Sequence, residues 1–257
     1  MRILAIFLFL LLAVPAHAVV DPVGWWKLDA GSGSTAIDSG SGANNGTIVN
    51  SPSWVTGHIG AFALSLSAAS AQYVSIGNPS AVQITGSMTM SVWINPTSIP
   101  STDGQANAAY VLSKGYSSAN DTEGYLFRFE QVAGVQLLRC GTYTTGVDHI
   151  VDYTFSTDIT TGTWYNIICR FDGSTWKIYL NGIEKASLTD STGPQANTIG
   201  FNIGGADNGT AIVRFFNGVV DDVRLYNRAL TTTEITNLAS QTEGAVAPTF
   251  ISVIVVE

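Results

Sequence analysis

The chain has little charge: 12% of its 257 residues are Asp, Glu, Lys or Arg. With 46% hydrophobic residues beside it, this is the reverse of the composition that keeps a chain disordered, so intrinsic disorder is excluded. Basic residues are the scarcer sign, 11 against 19 acidic, and a net charge of −8 leaves no cationic surplus to follow a phosphate backbone. No nucleic acid partner is expected. Glu and Lys are sparse while Thr, Ser, Gly and aromatic residues abound, which favours strands and turns and removes the coiled coil from consideration. Cysteine is nearly absent, at two residues. Cys140 and Cys169 form no CxxC and their nearest histidine is His149, which argues against a zinc site through them.

What is present reads as an exported chain. Met1-Arg2 gives a positive start, residues 3–14 are apolar, and Ala16-His17-Ala18 is the small-x-small pattern read by signal peptidase. Residues 1–18 are therefore expected to be a cleaved signal peptide. The apolar run is too short for a bilayer span of roughly 20 residues, as is the run at 250–256, so no membrane span is expected after cleavage. The expected location is extracellular or at the cell surface. That compartment permits a disulfide. Cys140 and Cys169 both lie in strand-like runs, and a cross-strand bridge and two buried thiols stand as alternatives that geometry decides.

Runs rich in β-branched and aromatic residues recur at 23–28, 46–49, 72–76, 88–94, 110–113, 125–130, 135–140, 150–155, 164–171, 175–180, 198–203 and 215–226, with turn residues between them. Many short strands so punctuated predict an all-β sandwich or barrel. Met88, Met90, Val92 and Ile94 alternate with Thr89, Ser91 and Trp93, and Trp176, Ile178 and Leu180 alternate with Thr175, Lys177 and Tyr179, so these strands bury one face. Asn181-Gly182 is a hairpin signal because both central residues of a type I′ turn need positive φ. One short C-terminal helix is expected: Thr231 offers an N-cap hydroxyl, Glu234 an acidic first turn, and Ile235 and Leu238 a common face ending by Ser240. With no linker before residue 241, residues 19–240 read as one domain and 241–257 as a linker with an apolar tail.

The segment 216–226 carries the chemistry. In an unbroken strand Val219, Asp221, Val223 and Leu225 share one face, which places the Asp221 carboxylate among apolar side chains. A buried carboxylate needs charge partners, hydrogen bonds or a cation, and in an exported protein Ca²⁺ is the natural one. Asp38, Asn45 and Gly46 in the early loop 38–47 are its candidate co-ligands; shaping the turn is their alternative role. Asp222, on the other face, is expected in an exposed pair with Arg224 or Arg228. Asp121 and Glu123 sit in a polar, acidic loop that reads as a ligand rim, as a second cation site or as solvated surface. Trp54 and Tyr143 are candidates to stack on a sugar ring, whereas Trp26, Trp93, Trp164 and Trp176 are expected in the core. His149, near Asp148 and Asp152, is read as structural rather than as an acid-base group.

Taken in order, Trp25-Trp26-Lys27-Leu28-Asp29, Gly57-His58-Ile59-Gly60, Met88 to Ile94 with Pro96, Gly162-Thr163-Trp164-Tyr165-Asn166, Ile178 to Gly182 and Phe216 to Leu230 resemble the laminin-G-like, concanavalin A-like jelly-roll family, in its secreted, pentraxin-related type. The resemblance implies two large antiparallel sheets packed face to face, with the first and last strands adjacent, an adjacency that would bring the 38–47 loop near Asp221. It also implies a structural Ca²⁺, because related jelly-roll β-glucanases hold one through the aspartate of a strand similar to Val220-Asp221-Asp222-Val223-Arg224. Leu66-Ser67-Ala68 stands where the family usually has Phe-Asp-Gly, and Asn166 where it commonly has His.

The resemblance implies a noncatalytic module that binds a glycan or a cell-surface protein. The alternatives are a polysaccharide hydrolase or lyase on the same fold, or a structural adhesion subunit. A retaining glycosidase needs paired carboxylates about 5 Å apart. Neither the Glu-x-Asp-x-Glu run of the glucanases nor the Gln-x-His and Tyr-x-Lys pairs of jelly-roll lyases occurs, so no catalytic residue is expected.

Overall fold

The computed structural model describes residues 22–100, 108–116, 122–144 and 146–241. Among the described residues eighteen strands and one α-helix follow one another. They are β1 (Gly24–Trp26), β2 (Thr35–Ala36), β3 (Gly46–Val49), β4 (Ser53–Thr56), β5 (Phe62–Leu66), β6 (Tyr73–Gly77), β7 (Met88–Pro96), β8 (Ala109–Lys114) and β9 (Thr122–Val132). After these come β10 (Val135–Thr144), β11 (Val147–Thr154), β12 (Tyr165–Phe171), β13 (Thr175–Leu180), β14 (Ile183–Thr189), β15 (Phe201–Ile203), β16 (Ala206–Asp207), β17 (Ile212–Val213), β18 (Gly218–Tyr226) and α1 (Thr232–Ala239). The expected signal peptide and most of the tail lie outside the described residues.

Two eight-stranded antiparallel sheets stack as a sandwich. The first runs β14-β13-β12-β7-β18-β5-β4, with β1 beside β18; the second runs β11-β10-β9-β8-β15-β6-β3-β2. First and last strands are adjacent, Trp26 pairing with Val223. The core between the sheets takes Met88, Met90, Val92 and Ile94 from β7, Phe127 and Phe129 from β9, and Trp26, Trp176 and Phe201. The alternating residues of β7 do face the core as the pattern predicts, but the strand does not bury one face only: Thr89, Ser91 and Trp93 on its other face are buried as well.

Cys140 of β10 and Cys169 of β12 form a disulfide between the two sheets, with Cα atoms 6.0 Å apart. Asn181 and Gly182 both take positive φ, 50° and 79°, as a two-residue hairpin of this hand requires. Thr231 and Glu234 make a reciprocal capping box at the start of α1. Ile235 and Leu238 then pack with Ile168, Tyr179 and Tyr226 on the outer face of the first sheet.

The unbroken alternation expected across β18 fails at one residue. Asp222 adopts a left-handed φ of 46°, and the register to β7 shifts between Asp221 and Arg224. Val220, Val223 and Leu225 are therefore the core residues, and Asp221 lies opposite Trp93 on the outer face. It is nonetheless fully buried, because the turn at 57–60 lies over it. Trp93 is likewise buried on that outer face rather than in the sandwich core, and Trp164 is half-buried rather than enclosed.

Candidate functional site

At one side of the sandwich the edge strands are β4 in the first sheet and β2 in the second; β14 and β11 end the sheets on the other side. Between β4 and β2 opens a cleft of ≈ 240 Å³, lined by Lys27, Leu28, Asp29, Thr35, Ile37, Ser39 and Trp54. The indole of Trp54, half-buried against the core, supplies one wall. Ile37, 59% exposed, stands at the mouth. Leu28 is buried yet left-handed, with φ 58°, a conformation that bulky side chains disfavour. This strained residue lies between Lys27 and Asp29, both of which line the cleft.

Asp29 is held by the backbone of the turn that follows Gly60. Its Oδ1 accepts hydrogen bonds from the backbone N–H of Ala61 (2.9 Å) and Phe62 (3.2 Å). A Cβ added at Gly60, where φ is 72°, would stand 2.3 Å from Asp29 Oδ1, so only glycine permits this close approach. Lys27 is also positioned, its ammonium 4.3 Å from the centroid of the Trp25 ring. An aromatic wall with a fixed acceptor, a cation and the polar residues Ser39 and Thr35 can hold a ligand that is apolar on one side and hydroxylated on the other.

The buried Asp221 lies under the same turn. Its Oδ2 accepts from the backbone N–H of His58 (2.8 Å) and Ile59 (2.9 Å). Its Oδ1 is buried with no hydrogen-bond partner. Burial pushes the carboxyl up to about 7; the two N–H donors oppose this, and the neighbouring Asp222 and Asp29 carboxylates add to it.

Residues 68–236 match the laminin G model of the Concanavalin A-like lectin/glucanases superfamily. The chain belongs to that superfamily. Among solved structures similar to it is domain 4 of AbnA, an extracellular GH43 arabinanase of Geobacillus stearothermophilus, in complex with arabinotriose. The two share 21% identity over 85% of this chain and 98% of that one, with a TM-score of 0.60. The binding domain of Paraclostridial Mosquitocidal Protein 1 is similar at 14% identity, covering 85% of this chain and 52% of that one, with a TM-score of 0.63. CBM40 of the Ruminococcus gnavus IT-sialidase, bound to α2,3-sialyllactose, is similar at 14% identity over 62% of this chain and 85% of that one, with a TM-score of 0.50. No curated protein matches. At these identities the likeness is one of fold.

Within this lectin-like sandwich the residues singled out from sequence do not form one site. Trp54 lies in the edge cleft. Tyr143 lies in β10, paired with Glu123 and Asp148, at the sandwich end where β10 and β11 contact β13 and β14, far from β4 in strand order. Asp121 falls outside the described residues, and of Glu123 only the backbone is described.

The 38–47 loop is tied to itself and to the segment that carries β1. Asp38 Oδ1 accepts from Trp25 N–H (2.7 Å) and Gly40 N–H (2.8 Å), and Oδ2 from Asn44 N–H (2.7 Å). Asn45 Oδ1 accepts from Asp38 N–H at 2.9 Å, and Gly46 pairs with Ala36 in the ladder. Asp38 Oδ2 and Asn45 Oδ1 each already accept one donor, so only their second lone pairs remain for a cation. Among the described residues no three His, Cys, Asp or Glu side chains converge on a common metal position.

Asp222 pairs with Arg224 at 2.9 Å, as expected, but the pair is buried rather than exposed, and Trp25 Nε1 donates to Asp222 at 2.7 Å. His149 Nδ1 meets Asp190 Oδ2 at 2.7 Å, whereas Asp152 binds Arg139, so His149 and Asp152 form no acid-base pair. On the outer face of the second sheet Arg139 joins Glu130 (2.7 Å) and Asp152 (2.7 Å), and Arg128 reaches Glu130 at 2.8 Å. Burial raises the Glu130 carboxyl, but Arg128 and Arg139 outweigh it and hold Glu130 below its usual range. A carboxylate so neutralised is a poor general acid.

Lys27 and Asp29 were missed as site residues. Both stand in the Trp25 to Asp29 motif, but the signal that singles them out is the close packing of Gly60 on Asp29, which links residues 31 apart in sequence.

Proposed function

We propose that the protein is a secreted, noncatalytic carbohydrate-binding module with a structural calcium ion. The observation that carries the first part is the edge cleft, which is lined by Trp54 and by Asp29, whose carboxylate the backbone pins. Sugar rings have an apolar C–H face and hydroxyl edges, and this cleft offers a complement to each. Domains similar in fold whose structures were solved with arabinotriose and with sialyllactose support this reading. The restraint of Glu130 and Asp152 by arginine supports a binding role over a hydrolytic one.

The calcium reading rests on the orphaned, buried Oδ1 of Asp221. A hard cation is the partner that would keep this carboxylate ionised at neutral pH. Asp221 fits as one ligand; with Asp38 and Asn45 engaged, backbone carbonyls and water would complete the shell. Calcium there would be structural, drawing the 57–60 turn onto β18.

The test is retention of the purified protein on a panel of soluble and insoluble polysaccharides, in Ca²⁺ and in chelator, with reducing ends assayed in the same tubes. Retention on a glycan with no new reducing ends, lost in Trp54→Ala, is the expected result. Release of products, or no retention on any glycan, overturns it.

A further inference from the structure

We propose that the edge cleft is a single-ring subsite for a neutral sugar, in which Asp29 accepts and Lys27 donates hydrogen bonds to adjacent hydroxyls while Trp54 flanks the ring's carbon face. This rests on the glycan-binding reading above and specifies the ligand class. The size sets the first limit. At ≈ 240 Å³ the cleft lies below the roughly 300–1,000 Å³ of sites that enclose drug-sized ligands, so it takes one ring rather than a stretch of chain.

Charge sets the second limit. Both ionic groups lining the cleft are fixed by contacts that leave an atom for a ligand. Asp29 spends Oδ1 on two backbone donors and keeps Oδ2 for a hydroxyl. Lys27 rests on the Trp25 ring, whereas Arg139, Arg170, Lys177, Lys185, Arg224 and Arg228 are each engaged by a carboxylate. One acceptor and one donor in the same cleft match two vicinal hydroxyls, each of which both donates and accepts. A uronate or sialate would bring its carboxylate up against Asp29 in a chain of net charge −8, so an acidic sugar is disfavoured. Pre-organisation is the third observation: two backbone donors and the Gly60 contact fix Asp29, and a fixed group leaves little ordering for binding to impose.

The experiment is an NMR titration of the whole mature protein with arabinotriose, xylotriose, galactotriose and trigalacturonate, the last two differing at C6. The expected result is that a neutral trisaccharide shifts the amides of residues 27–39 and the Trp54 indole, and that trigalacturonate binds at least ten-fold more weakly than the best neutral probe. Asp29→Asn and Lys27→Gln should each weaken that probe at least five-fold. Because Asp29 also anchors the turn, Lys27→Gln, which removes no backbone contact, is the decisive variant. Unchanged affinity in Lys27→Gln, shifts mapping elsewhere, or tighter binding of trigalacturonate would overturn the subsite and leave the glycan-binding reading standing. No shift with any of the four would overturn the subsite, and no retention on the polysaccharide panel would overturn the broader reading too.

Discussion

Asp29 and Asp221 grip the same turn from opposite ends: Asp221 takes the N–H groups of His58 and Ile59, and Asp29 those of Ala61 and Phe62. Four donors on either side of Gly60 at a tight bend are satisfied by two carboxylates that are 192 positions apart in the chain. The turn therefore joins the middle of β18 to the edge cleft.

Gly60 is the hinge of this arrangement, with φ 72° and Asp29 oxygens within 2.4 Å of where a Cβ would stand. Gly60→Ala should destabilise the protein by about 1–3 kcal/mol, from left-handed strain and displacement of the carboxylate. It should also weaken glycan retention through Asp29. Urea unfolding beside a retention assay checks both; an unchanged midpoint would show that the turn adapts freely.

A calcium ion bound through Asp221 would favour the native state over the unfolded chain, by about 2.7 kcal/mol at a hundred-fold excess over the dissociation constant. Tm should therefore rise in Ca²⁺ relative to chelator. Asp221→Asn keeps an oxygen for His58 and Ile59 but removes the charge, so it should abolish the Ca²⁺ shift while leaving the protein folded. Equal melting temperatures of the wild type in Ca²⁺ and in chelator would dismiss the structural ion.

How much of this was legible in the sequence follows from how local each signal is. The core-facing residues of β7 and β13, Asn181-Gly182 and the Thr231 capping box follow from signals within a few residues, and each appears where its pattern placed it, although β7 buries its second face too. β5 was missed because Ala63 and Ser65 carry little strand signal; Ala63 and Leu64 are both buried there, so no alternation shows. The Asp222 bulge was missed for a different reason. Its left-handed backbone is stabilised by Trp25 and Arg224, of which only the second is near in sequence, and one bulged residue reverses the face of Asp221. Within the cleft Trp54 was legible from chemistry alone, whereas Asp29 gains its meaning from the turn at 57–62.

Glu234 makes the docking of α1 pH-dependent. The hydrogen bond from Arg228 lowers its carboxyl from the ordinary 4.5 to about 2, against opposing burial and with help from Thr231. Because the folded value is the lower one, this stabilisation is fully present above about pH 4.5 and is lost as pH falls towards 2. With solvent screening at this partly exposed pair, about 1–2 kcal/mol is at stake. Glu234→Gln should lose it already at pH 7 and flatten the acid limb of the stability curve. Denaturation midpoints of wild type and variant that stay parallel from pH 6 to pH 2.5 would refute this.

The Cys140–Cys169 bridge closes a loop of 29 residues between the two sheets, at two side chains with no solvent exposure. Cross-linking a loop of that length removes unfolded-state freedom equivalent to about 3–4 kcal/mol. Replacing both cysteines by alanine should cost that amount, together with a smaller loss from packing, and should leave the strand order intact because the surrounding core is apolar on both sheets. The discriminating comparison is between the double variant and the reduced wild type: similar unfolding midpoints assign the loss to the cross-link. A double variant as stable as the oxidised protein would instead mean that the unfolded chain is already compact around these strands, so that the bridge removes little freedom.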